Sequence, residues 1–147
     1  MLVRNRMIPN PVTVTPEDTL ATAQEKMTAG RFGHLPVVQD GALVGILTDR
    51  DVRRYVGVQE QTRVGAAMTE RPLMVSPLTT VEEATQLLLN HQIGGLPVLE
   101  DGKLVGIITS SDLLLAFLVV LGASAESSVR IDVLQRSEEH TSELQSQ

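Results

Sequence analysis

Short apolar runs alternate with amphipathic stripes along residues 1–121, and the whole pattern occurs twice. In the first copy Val12-Thr13-Val14-Thr15 alternates as a short strand does. Thr15 and Pro16 then offer a side-chain N-cap and an N1 proline, with Asp18 completing a capping box. The helix predicted there carries Leu20, Ala23 and Met27 on one stripe and ends near Gly30. Leu35 to Val38 reads as a second strand, Asp40-Gly41 as a tight hairpin turn, and Leu43 to Leu47 as a third, continuously apolar strand. Thr48 is positioned to cap a further helix through about Tyr55. The order is strand, helix, strand, strand, helix.

A shift of 61 positions, the distance from Gly45 to Gly106, lays the chain on itself without a gap. Met7 falls on Met68, Pro11 on Pro72, Val14 on Val75, Pro16 on Pro77, Ala23 on Ala84 and Gly33 on Gly94. In the second copy Ser76-Pro77 takes the place of cap and N1, and Val81, Ala84, Leu87 and Leu88 form the stripe. Asp101-Gly102 supplies the hairpin and Thr109 the second cap. One unit holds too little apolar surface to stand alone, so the two are expected to pack on each other with pseudo-twofold symmetry. The reading divides the chain into unit one (1–57), a polar connector (58–66) and unit two (67–121).

The two final helices differ. Asp51-Val52-Arg53-Arg54-Tyr55 is polar, whereas Asp112 is followed by apolar residues on every face as far as Leu121. One stripe covers its own unit; the remainder calls for a second surface. A homodimer contact through residues 112–121 is expected, with burial against unit one as the alternative.

Composition narrows the function. The 147 residues include no cysteine, which removes disulfide and thiolate chemistry and agrees with a reducing, cytoplasmic setting. A net charge of −6, one tyrosine and two phenylalanines speak against nucleic-acid binding. The longest apolar run, Leu113 to Leu121, is far shorter than the roughly 20 residues that span a bilayer, so no membrane association is expected. Three scattered histidines leave a metal site without ligands of suitable spacing, and no nucleophile with a base suggests an enzyme.

The chemistry concentrates in Gly45-Ile46-Leu47-Thr48-Asp49-Arg50-Asp51 and its copy Gly106-Ile107-Ile108-Thr109-Ser110-Ser111-Asp112. Thr-x-x-Asp is itself a capping box, and capping alone is one sufficient account of it. The other is that an aspartate on a first turn also accepts hydrogen bonds from a ribose diol, while the threonine hydroxyl and exposed N–H groups face a phosphate.

These segments, with the openings Pro11 to Pro16 and Pro72 to Pro77, two Leu-Pro-Val strands and two Asp-Gly hairpins, resemble a tandem pair of CBS (cystathionine-beta-synthase-type) domains, the Bateman module, over about residues 1–121. The resemblance implies an α/β fold, in detail α+β, of two β-α-β-β-α repeats with two clefts for adenosyl ligands such as AMP, ADP, ATP or S-adenosylmethionine. It implies that Asp51 and Asp112 hold ribose and that Thr48 and Thr109 lie beside phosphate or ribose. The base would rest against Val12 to Val14 or Leu73 to Val75, and against the segments entering Leu35 or Leu96. No cofactor is required beyond this regulatory nucleotide, which magnesium could accompany as a polyphosphate.

Around the first aspartate the sequence offers Arg31, His34, Arg50, Arg53 and Arg54; the matching positions are Gln92, Gly95, Ser111, Leu114 and Leu115. The first cleft is therefore expected to prefer a phosphorylated adenosine, and the second a less charged adenosyl ligand or none. A solvated helix face remains the alternative for the arginines, and an idle surface residue for His34.

Beyond Leu121, Gly122 to Ser128 reads as a linker and Val129 to Leu134 as the start of a strand. That arrangement is similar to the CBS–ACT proteins of the acetoin-utilisation type and implies that this strand opens an ACT domain whose remainder was cut off near Gln135. Residues 136–147 match the translation of a common sequencing adapter, the alternative being a disordered polar tail. The reading that results is a non-enzymatic regulatory module sensing adenosine nucleotide. A ligand-free dimerisation scaffold and a regulatory fragment of a larger enzyme are the alternatives.

Overall fold

Two three-stranded antiparallel sheets, each backed by helices over its own apolar core, make up the computed structural model, which describes residues 1–124. The chain runs through a 3-10 turn at Val3–Asn5, then β1 (Ile8–Pro9), α1 (Leu20–Gly30), β2 (His34–Gln39), β3 (Ala42–Thr48) and α2 (Asp49–Arg53). It continues through α3 (Val64–Ala67), β4 (Thr69–Glu70), α4 (Val81–His91), β5 (Gly95–Glu100), β6 (Lys103–Thr109) and α5 (Ser110–Ser124). The two hairpins form as their sequences require: Asp40 and Asp101 (φ 51° each) and Gly41 and Gly102 (φ 80° and 76°) all take left-handed conformations.

The repeats are not laid end to end. The strand β1 pairs with β6, Ile8 opposite Ile107, and β4 pairs with β3, Thr69 opposite Ile46. Each repeat thus lends an edge strand to a sheet built from the other stretch of chain. Val3 is fully buried in the core of Leu88, Leu96 and Ile108, while Val64 is fully buried with Leu20, Leu35 and Leu47. Backbone hydrogen bonds fix the exchange: Leu20 N donates to Thr62 O at 2.8 Å, and Val81 N to Met1 O at 2.9 Å. Residues 58–66 therefore contribute Val64 to the first core as well as joining the units.

The glycine of each Gly-h-h-Thr segment is explained by this crossing. A Cβ on Gly45 would lie 2.8 Å from Thr69 O, and one on Gly106 would lie 3.0 Å from Ile8 O. Only a residue without a side chain lets the borrowed strand lie so close.

Three local expectations are corrected. The strand expected over Val12–Thr15 reduces to one parallel bridge, Val14 with Val37, because Val14 alone lines up its N–H and C=O with Pro36 and Val38. The first helix begins at Leu20 with Thr19 as its N-cap, rather than at Pro16 after Thr15. Thr15 and Asp18 do exchange the expected hydrogen bonds, at 2.8 and 3.3 Å, but these close a separate turn ahead of the helix. The helix after Thr48 is short, five residues to Arg53, and a turn follows it through Tyr55.

Leu113 and Ala116 pack α5 onto the second core, while Leu114, Leu115, Phe117 and Leu118 are between 47% and 61% exposed. The helix extends through Gly122 to Ser124, into the stretch whose composition suggests a linker. The expected strand at residues 129–134 and the adapter-like stretch at 136–147 lie outside the described residues. Among the described residues, no helix is long and apolar enough to cross a membrane.

Candidate functional site

Where β3 ends and α2 begins, the chain emerges from the sheet beside the loop that leads from α4 into β5, and a cavity of about 610 Å³ lies between them. One wall comes from the first repeat: His34, Thr48, Asp49, Arg50, Asp51 and Arg54. The facing wall comes from residues preceding the second repeat's sheet: Arg71, Pro72 and Leu73 after β4, and His91 to Gly95. A volume of this size is within the ~300–1,000 Å³ usual for small-molecule sites.

Thr48 and Asp51 form a complete capping box. Thr48 N donates to Asp51 Oδ2 at 2.9 Å, and Asp51 N donates to Thr48 Oγ1 at 3.2 Å. The cap uses one carboxylate oxygen. The other, Oδ1, has only a 3.8 Å ion pair to Arg54, whose side chain is 68% exposed. Asp51, a cavity-lining residue, therefore keeps acceptor capacity beyond its cap, so capping and ligand binding are compatible rather than rival roles. Asp49 is committed elsewhere, to Arg53 at 2.9 Å.

His34 opens β2 and lies against the backbone of the other repeat. A Cβ on Gly95 would lie 2.9 Å from its Cδ2, so the imidazole occupies space that only glycine leaves open. Burial lowers its pKa below the ordinary imidazole value, and the carboxylates of Asp49 and Asp51 offset part of that shift. Burial thus favours the neutral ring of His34 at neutral pH, on the wall of the cavity.

The structure brings together Thr48, Arg50, Asp51, His34, Leu73 and Gly95 from the residues singled out in sequence. It separates the others. Val14 and Leu35 are buried in the first core and Val75 in the second. Arg31 caps the end of α1 in a left-handed conformation, φ 55°, outside this cavity, and its repeat partner Gln92 lines it instead. Val12 is 46% exposed and is the repeat partner of Leu73. Thr109, Ser111 and Asp112 stand at the matching junction of β6 and α5, where Thr109 N donates to Asp112 Oδ2 at 2.9 Å and Thr109 Oγ1 to the same oxygen at 3.0 Å.

This cleft thus mixes the repeats: the Thr-x-x-Asp of the first faces the opening segment of the second. Shifting the lining by 61 positions replaces Arg50, Arg54 and Arg71 by Ser111, Leu115 and Asn10, and Gln92 by Arg31. Arg71, His91 and Ile93 are lining residues that sequence reasoning missed. For Arg71 a signal existed, its alignment with Asn10 directly before the paired prolines Pro11 and Pro72.

Among the described residues no group of three or more His, Cys, Asp or Glu side chains is disposed to hold a metal ion. The family model for the CBS domain matches twice, over residues 3–58 and 64–119. The CBS domain-containing protein YhcV of Bacillus subtilis is 36% identical over 114 residues, which cover 76% of this chain and 81% of YhcV. An inosine-5'-monophosphate dehydrogenase of Staphylococcus aureus is 38% identical over 113 residues, 74% of this chain and only 23% of the dehydrogenase.

Solved structures agree. CBSX2 of Arabidopsis thaliana in complex with AMP is 32% identical with a TM-score of 0.71, covering 81% of this chain and 97% of that one. The CBS domain pair of MJ0100, in complex with 5'-methylthioadenosine and S-adenosyl-L-methionine, is 27% identical with a TM-score of 0.74, covering 80% and 95%. The acetoin utilization protein AcuB of Vibrio cholerae is 30% identical with a TM-score of 0.74, covering 86% and 98%. With two matched segments, two exchanged sheets and a cleft at the repeat boundary, the chain belongs to the CBS domain family, as a tandem CBS pair.

Proposed function

We propose that this CBS pair is a regulatory module that binds a phosphorylated adenosine in the cleft around Thr48 and Asp51 and passes its occupancy to a partner or an attached domain. The observation that carries the reading is the cavity of about 610 Å³ that sets Asp51, whose second oxygen has only a long contact with Arg54, and three arginines against an apolar wall, Leu73 and Ile93, from the other repeat. The diol of a ribose suits the carboxylate, the base suits the apolar wall, and phosphate suits the guanidinium groups. Relatives captured with AMP or with S-adenosyl-L-methionine support the same ligand class. Magnesium would enter only with a polyphosphate, held by its oxygens.

Transmission follows from the cleft's two origins. A ligand touching α2 and the loop before β5 favours whichever arrangement of the repeats fits it best, and it shifts the equilibrium only by that difference in affinity. The exposed apolar face of α5 supports a homodimer as the receiving element, because so large a contiguous patch is unusual on a monomer. The reading assigns the module no catalytic step of its own, and a cytoplasmic setting goes with its lack of cysteine.

Isothermal titration with AMP, ATP and S-adenosylmethionine tests the proposal. Saturable binding of a phosphorylated adenosine, lost in Asp51→Ala, is the expected result. No heat from any of the three at millimolar concentration leaves a scaffold whose Thr-x-x-Asp segments only cap helices.

A further inference from the structure

We propose that Arg71 sorts the ligands of this cleft by the length of their phosphate chain, a role that rests on the nucleotide reading above. Its backbone is anchored by β4, whose Thr69 and Glu70 lie against Ile46 and Gly45 of β3 at the edge of the cavity. Arg71 is the next residue, and it takes a left-handed conformation with φ 50°. Asn10, its repeat partner, does the same with φ 48°. Asparagine adopts that geometry readily because its short side chain can hydrogen-bond locally; arginine has no such compensation. The backbone there is set by the repeat frame, and it carries the Arg71 side chain to the cavity wall.

Among the described residues the Arg71 side chain has no hydrogen-bond or ion-pair partner, and neither does that of Arg50. Arg54 has only its long contact with Asp51. Three guanidinium groups thus stand around one cavity, two on α2 and its end and one arriving from the opposite repeat. Of the nearby carboxylates, Asp49 is engaged by Arg53, and Asp51 gives one oxygen to its cap and the other only the long contact with Arg54. A single phosphate is satisfied by one or two such planar donors. A third, reaching across the repeat boundary, suits a chain of phosphates that bridges the two walls. At the matching positions of the other repeat stand Ser111, Leu115 and Asn10, with Arg31 in place of Gln92 as the one cation gained, so the sorting by three guanidinium groups is assigned to this cleft.

The test is titration of the full chain in magnesium-free buffer with adenosine, AMP, ADP and ATP, repeated on Arg71→Asn and Arg71→Lys. Asparagine is the residue the twin position already carries in this conformation, so the variant should fold, and an undiminished melting temperature verifies that it does. In the parent protein affinity should rise with each added phosphate. Arg71→Asn should weaken ATP by about tenfold or more, the scale of one charge-assisted hydrogen bond, while adenosine changes less than twofold; Arg71→Lys should recover part of the loss. Equal effects on all four ligands, or none on ATP, would overturn the role of Arg71 and leave the nucleotide site standing. Absence of binding by every ligand to the parent protein would overturn both.

Discussion

The two repeats agree where backbones approach and differ in the side chains they present on their surfaces. Gly45 and Gly106 sit under a borrowed strand, and Asp40-Gly41 and Asp101-Gly102 turn the hairpins alike. Asn10 with Arg71, and Arg31 with Gln92, take matching left-handed conformations although their side chains share nothing. Then the correspondence stops: α2 is a five-residue polar helix, α5 a fifteen-residue one with an exposed apolar face. The cations around the first Thr-x-x-Asp have few counterparts around the second. Duplication has kept the frame, and the two copies have been assigned different surfaces.

The largest effect should come from the shared frame. Gly45→Val and Gly106→Val each place a side chain where a backbone carbonyl passes, within 2.8 and 3.0 Å of the position of the new Cβ. Each is expected to cost on the order of 3 kcal/mol, at the upper end of what overpacking does. Urea denaturation checks this. Because the exchange is reciprocal, the two costs should be similar; a near-neutral result at one glycine would mean that its borrowed strand is not held there.

The caps should separate frame from function. Asp51→Ala and Asp112→Ala each remove an acceptor bonded at 2.9 Å to a threonine N–H, so both should lower stability by about 1 kcal/mol. Only Asp51→Ala is expected also to weaken a phosphorylated adenosine, by about 1.5–3 kcal/mol, the range for a hydrogen bond involving a charged group. Thermal melts and titrations on the two variants decide it. Equal losses of binding would erase the functional difference between the clefts.

How far the sequence carried this comparison depends on the range of each interaction. Hairpins, both Thr-x-x-Asp caps and the stripe of Leu20, Ala23 and Met27 were legible because they are set within a few residues. The helix start was misplaced because two cap signals stand four residues apart, Thr15 and Thr19, and nothing local ranks them. The exchanged strands β1 and β4 were invisible: two residues each, they pair only across the molecule. Missing that exchange also hid Arg71, since this cleft draws its second wall from the other repeat, where Gln92 rather than Arg31 lines it.

A third contrast lies in the last helices. Phe117→Glu puts a charge on a side chain already 59% exposed, so the monomer's stability should change by less than about 0.5 kcal/mol. Sedimentation or light scattering should nevertheless show a dimer giving way to monomer. The corresponding surface of α2 is polar, and Arg53→Glu should leave the assembly state alone. A parent protein that is monomeric at tens of micromolar would remove α5 as the receiving element.

The smallest effect concerns the ring that one repeat has and the other lacks. His34 stands where the second repeat has Gly95, and burial holds its pKa below the ordinary imidazole value despite Asp49 and Asp51. Between that lowered value and about 6.5 the unfolded chain binds a larger share of a proton than the folded one. Stability therefore falls as the pH drops through this window and is recovered above it, by at most the work of one proton per molecule. Chemical denaturation at a series of pH values between 5 and 7.5 should show the slope in the parent and a shallower one in His34→Gln, which keeps a hydrogen-bonding group without the titration. The difference between the two curves reports the imidazole. A difference of opposite sign, with the parent gaining stability on acidification, would mean that Asp49 and Asp51 outweigh burial and that His34 enters the cleft as a cation after all.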